Sequence, residues 1–178
     1  MALQDRMIRA FRGEAALFEE VEHDENATTE AIIVVVLGSL SVGIGQALSQ
    51  AVTGRPGGGL GGIVANVAIV LLFFAVFSGV VYFVGTRFFK AEATWNEVLR
   101  TLGYAYTPNV VGIVRVIPVL GPLVAGLAGL WSLYLAFIAI RSALDIDTGK
   151  TVGTILISLI PSFIIFFVLA VAFVGSMM

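Results

Sequence analysis

Polar and apolar positions alternate on two scales along this chain. Between residues 1 and 23 they alternate within the helical turn. At 100° per residue Leu3, Met7, Phe11, Phe18 and Val21 share one face, and Arg6, Arg9 and Arg12 lie across from it. Gly13 interrupts the pattern, so two short helices are expected, over residues 3–12 and 14–22. Such a segment can lie in the headgroup layer with its arginines toward anionic lipid, or it can pack under a bundle of its own chain. The sequence leaves both open.

From residue 31 onward the alternation is between whole segments. Residues 31–52, 63–86, 119–140 and 152–175 carry no charge. At 1.5 Å per residue each is long enough for a hydrocarbon core of about 30 Å. Thr94, Trp95, Asn96 and Glu97 form a capping-box pattern, with a hydroxyl at the N-cap and a carboxylate three residues on. A helix is therefore expected from Trp95. Its uncharged part, 101–114, covers only about 21 Å. The preferred reading is a span over 95–117, kinked at Pro108, with Glu97, Arg100 and Arg115 in the headgroup zones. The alternative is an interfacial helix followed by a half-inserted hairpin. Glu97 and Arg100, at i and i+3, can pair.

The pattern predicts an all-α integral membrane bundle of five transmembrane helices with an amphipathic N-terminal helix. Residues 1–30 form the interfacial segment and 31–178 the membrane domain. Composition agrees. Of 178 residues 58% are hydrophobic and 12% charged, and the mean hydropathy is +1.01. A soluble domain is about half apolar and about a quarter charged. The first thirty residues lack a hydrophobic core with a small-residue cleavage site, so the first span is expected to serve as its own insertion signal.

Within the spans, small residues recur every fourth position. Ser41, Gly45 and Ser49 form one row, and Gly121, Ala125 and Gly129 another. Such rows let helix backbones approach closely. Lysine and arginine set the orientation. With five spans and a cytoplasmic N-terminus, Arg6, Arg9, Arg12, Arg87, Lys90, Arg100, Arg141 and Lys150 fall inside, and Arg55 and Arg115 outside. The C-terminus is then expected outside.

Charge and residue types exclude much chemistry. The net charge is -2 and no basic run exists, so no nucleic acid is expected as a partner. No cysteine is present, which excludes disulfides and thiolate ligands. The single histidine, His23, sits outside the spans beside acids. The Gly-rich run at 53–62 lacks the GK[ST] ending of a phosphate loop and reads as a linker. In DIDTGKT, Asp147 and Thr148 read as a helix cap, because the other ligands of a calcium loop are missing. No catalytic residue, metal ligand or cofactor is expected. Asn66, Asn109 and Arg115 are the polar groups a transport pathway would use.

The runs TWNEVLRTLGYAYTP and IPVLGPLVAGLAGLWSLYLAF, with the short loop to GKT, resemble the Yip domain family of Ypt/Rab-interacting membrane proteins. The resemblance covers roughly residues 3–175, and Gly103, Tyr104, Pro108 and Trp131 carry most of it. It implies five spans, a cytoplasmic N-terminus, no enzymatic activity, and adaptor or scaffold behaviour in homo- or hetero-oligomers. Eukaryotic members engage GTPases through a long cytosolic N-terminal region with an Asp-Leu-Tyr-Gly-Pro-like motif. This chain lacks both, so GTPase binding is doubtful here. The compact form resembles prokaryotic members, which implies a plasma membrane location. The expected function is a non-enzymatic scaffold that organises membrane proteins or lipids. The alternatives are a channel or transporter subunit using the Pro-kinked helices, and a curvature or lipid-binding protein acting through its N-terminal helix.

Overall fold

A computed structural model of the chain describes residues 2–55 and 59–175. Among them the order is α1 (Leu3–Phe11), α2 (Ala15–His23), α3 (Ala27–Val52), α4 (Gly59–Phe88), α5 (Trp95–Ala105), a 3-10 helix (Thr107–Val116), α6 (Leu120–Ala143) and α7 (Thr148–Gly175). No strand occurs among the described residues. Helices are what apolar segments must form in lipid, where only intra-segment bonding satisfies the backbone.

The segment from α5 through the 3-10 helix is the axis of the fold. α3 packs along its whole length, α6 covers another side, and α4 carries α7 on its outer flank. Paired residues give the directions. Going along α3, Thr28 meets Arg100, Gly38 meets Tyr106, Ser41 meets Val110 and Gly45 meets Gly112. α3 and the axis therefore run parallel. On α6, Gly121 meets Arg115, Ser132 meets Asn109 and Ser142 meets Glu22 of α2. α6 therefore runs back toward the end where α1 and α2 sit, here called the hairpin end.

Among the described residues four helices are long and apolar enough to cross a membrane: Ala27–Val52, Gly59–Phe88, Leu120–Ala143 and Thr148–Leu169. α5 and the 3-10 helix do not qualify singly. Where one kinked helix over 95–117 was expected, the chain changes helix type at Pro108. Proline has no N–H to offer the carbonyl four residues back. Here that carbonyl, on Tyr104, accepts instead from the Thr107 hydroxyl at 2.6 Å. The expected caps fare differently. Thr94 and Glu97 close a full capping box, with Thr94 N–H donating to Glu97 at 2.8 Å. α3 starts at Ala27 with Asn26 at its N-cap, whose side chain makes no capping bond.

The buried core is lopsided. Leu17, Phe18, Val21, Ala31, Val98, Tyr104, Leu135 and Leu144 gather at the hairpin end. Toward the far end the outward residues are large and apolar, with Leu60, Leu127 and Leu133 more than two-fifths exposed. One end is thus packed like a soluble domain, and the other presents apolar side chains where lipid is the solvent.

Candidate functional site

The densest polar chemistry lies at the hairpin end, around Arg6. Its guanidinium is buried and donates to three carboxylates: Asp24 at 2.6 Å, Glu30 at 2.9 Å and Glu20 at 3.3 Å. The Tyr104 hydroxyl donates to the same Glu30 oxygen. Arg9 extends the network to Glu20 at 2.7 Å and Glu14 at 3.0 Å. Burial works against the Arg6 charge, but the bonds to Asp24 and Glu30 outweigh it and hold the group firmly protonated. Arg6 and Arg9 in turn hold Asp24 and Glu20 below their usual carboxylate range, through the bond from Arg6 and the bond from Arg9 respectively.

A second cluster ties α2 to the axis. Arg100 is buried and donates to the Glu22 carbonyl and to the Thr28 hydroxyl. The Ser142 hydroxyl donates to the Glu22 carboxylate at 2.9 Å. Burial pushes the Glu22 carboxyl up against that bond. His23, on the exposed side, is raised by its contact with the Glu19 carbonyl and then by Glu22. The Glu97–Arg100 pair that the spacing allows is replaced: Glu97 caps its helix, and Arg100 turns to α2 and α3.

The structure distributes the three arginines that one of the two readings of the N-terminal segment sets toward lipid. Arg6 faces inward, Arg9 is ion-paired, and Arg12 has an exposed side chain 3.9 Å from Glu14. The physical reason is a rotation of α1 about its axis. Three carboxylates from α2, the following turn and α3 converge on Arg6, so the helix turns that residue in and leaves Ile8 and Phe11 exposed. The run of acids at 19–25 supplies two of these partners, Glu20 and Asp24. The signal available was charge complementarity between that run and the arginines just before it.

The packing rows divide. Ser41 reaches the 3-10 helix, donating to the Val110 carbonyl at 2.6 Å and accepting from Ile113 N–H at 2.9 Å. Gly45 lies on the backbone of Gly112 and Ile113, and Gly121 on that of Val114 and Arg115. Ala125 is buried. Ser49 is half-buried, with its carbonyl taken by Thr53. Gly129 has nothing within 4 Å of the space a side chain would fill. Gly103 abuts Ala31, and Pro108 opens the 3-10 helix. The Trp131 indole N–H donates to the Phe11 carbonyl at 2.7 Å, and its ring lies 5.0 Å from that of Tyr134.

The polar groups proposed for a pathway are mostly engaged. Asn66 donates to the Ser39 carbonyl at 2.8 Å, and Asn109 donates to the Ser132 hydroxyl at 2.9 Å. Asn109 and Ser132 line an apolar cavity of about 260 Å³ between α4, the axis and α6, walled by Phe73, Phe74 and Phe77. Arg115 has a buried Nε with no hydrogen-bond partner among the described residues. Thr154, Ser158 and Ser162 of α7 likewise bury hydroxyls with no partner among those residues. Among the described residues no group of three or more His, Cys, Asp or Glu is placed to hold a metal.

A helical bundle with long apolar helices, ion pairs at one end and small-residue seams within is the architecture of an integral membrane protein. The family model of the Yip1 domain matches residues 11–172, and the chain belongs to that family. No curated protein matches the chain, and no solved structure does.

Proposed function

We propose that this chain is a non-enzymatic membrane scaffold of the Yip type, crossing the bilayer five times with the hairpin end in the cytoplasm. α5 and the 3-10 helix together would make the fifth crossing. At about 1.5 and 2.0 Å per residue they add up to roughly 36 Å of rod, enough for a core of about 30 Å. The bias of lysine and arginine toward the hairpin end supports that orientation. The C-terminus then lies outside.

The observation that carries the scaffold reading is the outer face of α6. Leu123, Leu127 and Leu130 are exposed there, and Gly126 among them leaves open space, whereas Gly129 faces the inner cavity. This is a surface on which another helix can seat closely. The charged residues of the hairpin, by contrast, bond mainly to one another and to the bundle. Membership of a family not known for enzymes supports the non-enzymatic part. The transport alternative is weakened because Asn66 and Asn109 already bond to neighbouring helices.

Photo-crosslinking from position 127 or 130 in intact membranes tests this. Discrete adducts that disappear when Gly126→Leu fills the open space on this face are expected. Only free monomer from both positions would refute an assembly role for this face.

A further inference from the structure

Arg141 is one of several cations at the hairpin end, with Arg87, Lys90 and Arg100, that pair with no acid among the described residues. Arg6, Arg9, Arg12, His23 and Lys150 each lie within ion-pair distance of an acid. Arg141 makes no such pair, and neither does Glu19 or Asp145, among the described residues. Yet all three line one groove of about 670 Å³ between α2 and α6. Opposite charges that share a groove without touching define a space with electrostatic demands at both walls.

The groove also has a polarity gradient. Along α6, Tyr134 and Phe137, with Gly13 of the hairpin turn, line one part of it, and Arg141, Glu19 and Asp145 the part nearer the hairpin end. Along α6 the distance from Tyr134 to Arg141 is about 10 Å. Beyond Tyr134 the helix continues with Leu133 and Leu130 exposed, so an apolar track leads from the groove into the bilayer.

We propose that this groove binds one aminophospholipid, of the phosphatidylethanolamine type, from the leaflet on the hairpin side. Its phosphate pairs with Arg141, its ammonium with Glu19 and Asp145, and its upper acyl chain runs over Phe137 and Tyr134. A purely anionic headgroup leaves Glu19 and Asp145, and Asp147, which also lines the groove but is paired with Lys150, facing like charge. A choline headgroup has no N–H to donate, whereas a primary ammonium has three. Leu130 belongs both to this track and to the face proposed for assembly, but none of Leu123, Leu127 and Leu130 lines the groove, so the headgroup variants separate lipid selection from crosslinking at α6.

The test uses the full-length chain in detergent, stripped of lipid and titrated with phosphatidylethanolamine, phosphatidylcholine or phosphatidylglycerol of matched tails, with native mass spectrometry as readout. One phosphatidylethanolamine per chain is expected, held about tenfold tighter than either competitor, as one charge-assisted hydrogen bond implies. Arg141→Gln is expected to weaken it about tenfold, and Glu19→Gln with Asp145→Asn to erase the preference over phosphatidylcholine. Equal retention of the three lipids, or a preference unchanged in both variants, would overturn the site. Displacement by soluble phosphoethanolamine would overturn the lipid assignment. A measurement without groove variants is quenching of Trp131 in a Trp95→Phe chain by lipids brominated on the acyl chain. Stronger quenching by the phosphatidylethanolamine form than by the phosphatidylglycerol form is expected, and equal quenching counts against the site.

Discussion

Gly45 of α3 rests directly on Gly112 of the 3-10 helix. A Cβ on Gly45 would collide with the Gly112 carbonyl oxygen and lie 2.9 Å from Ile113 Cα, and a Cβ on Gly112 would lie 2.9 Å from Val42 Cα. Backbone cannot move aside as a side-chain tip can. Gly45→Ala and Gly112→Ala are each expected to destabilise the bundle by about 1–3 kcal/mol. Gly126→Ala, in open space on α6, is expected to stabilise it by about 0.5–1 kcal/mol through helix propensity. Thermal unfolding in detergent reads both signs, and a melting point that rises in all three variants would contradict the seam.

Arg6 and Arg12 are expected to behave unlike each other, although both were placed on one polar face. Arg6→Ala strands Asp24 and Glu30, which are themselves about a quarter exposed. The cost is about 2–3 kcal/mol, below that of a fully buried pair. It falls on hairpin docking, so protease cleavage within residues 3–23 should accelerate. Arg12→Ala, with its side chain 70% exposed, is expected to change stability by less than about 0.5 kcal/mol.

The legibility of this fold divides along sequence separation. The capping box of Thr94 and Glu97, the break at Pro108 and the Asp147 cap of α7, whose carboxylate accepts from Lys150 N–H at 3.0 Å, are local features and could be read from adjacent residues. The inward turn of Arg6 depends on Glu30, twenty-four positions away, and the redirection of Arg100 on Glu22, seventy-eight away. Helical periodicity says which residues share a face. It does not say which way that face turns once carboxylates from other elements compete for it. The 3-10 geometry was hidden for a similar reason, since α3 and α6 press on this stretch from both sides.

Docking of the hairpin is expected to depend on pH in two opposed steps. Glu22 has a raised folded pKa, so its contribution is complete below the unfolded value of 4.5 and is lost as pH rises through the folded one. Glu20 and Asp24 have lowered values, so their contributions hold above 4.5 and 3.8 and are lost as pH falls further. Docking should therefore tighten from neutral toward 4.5 and loosen below. Because the sequence has no cysteine, a single spin label at Ile8→Cys can follow it. Glu22→Gln should keep the acid loss and leave only the tightening that His23, whose value is also raised, contributes.

The bond from Asn109 to Ser132 joins the 3-10 helix to α6 inside the apolar zone. A double-mutant cycle with Asn109→Ala and Ser132→Ala is expected to give a coupling of about 0.6–1.5 kcal/mol, the scale of hydrogen bonds between membrane helices. Additive losses would mean that the two side chains act separately.

Orientation, the leaflet of the lipid groove and the outward face of α6 all rest on whether α5 and the 3-10 helix complete a crossing. The direct measurement is paired topology reporters, one at the N-terminus and one fused after Met178, in intact cells. Five crossings predict an N-terminal reporter inside and a C-terminal reporter outside. Both reporters on the same side would contradict the fifth crossing and leave four.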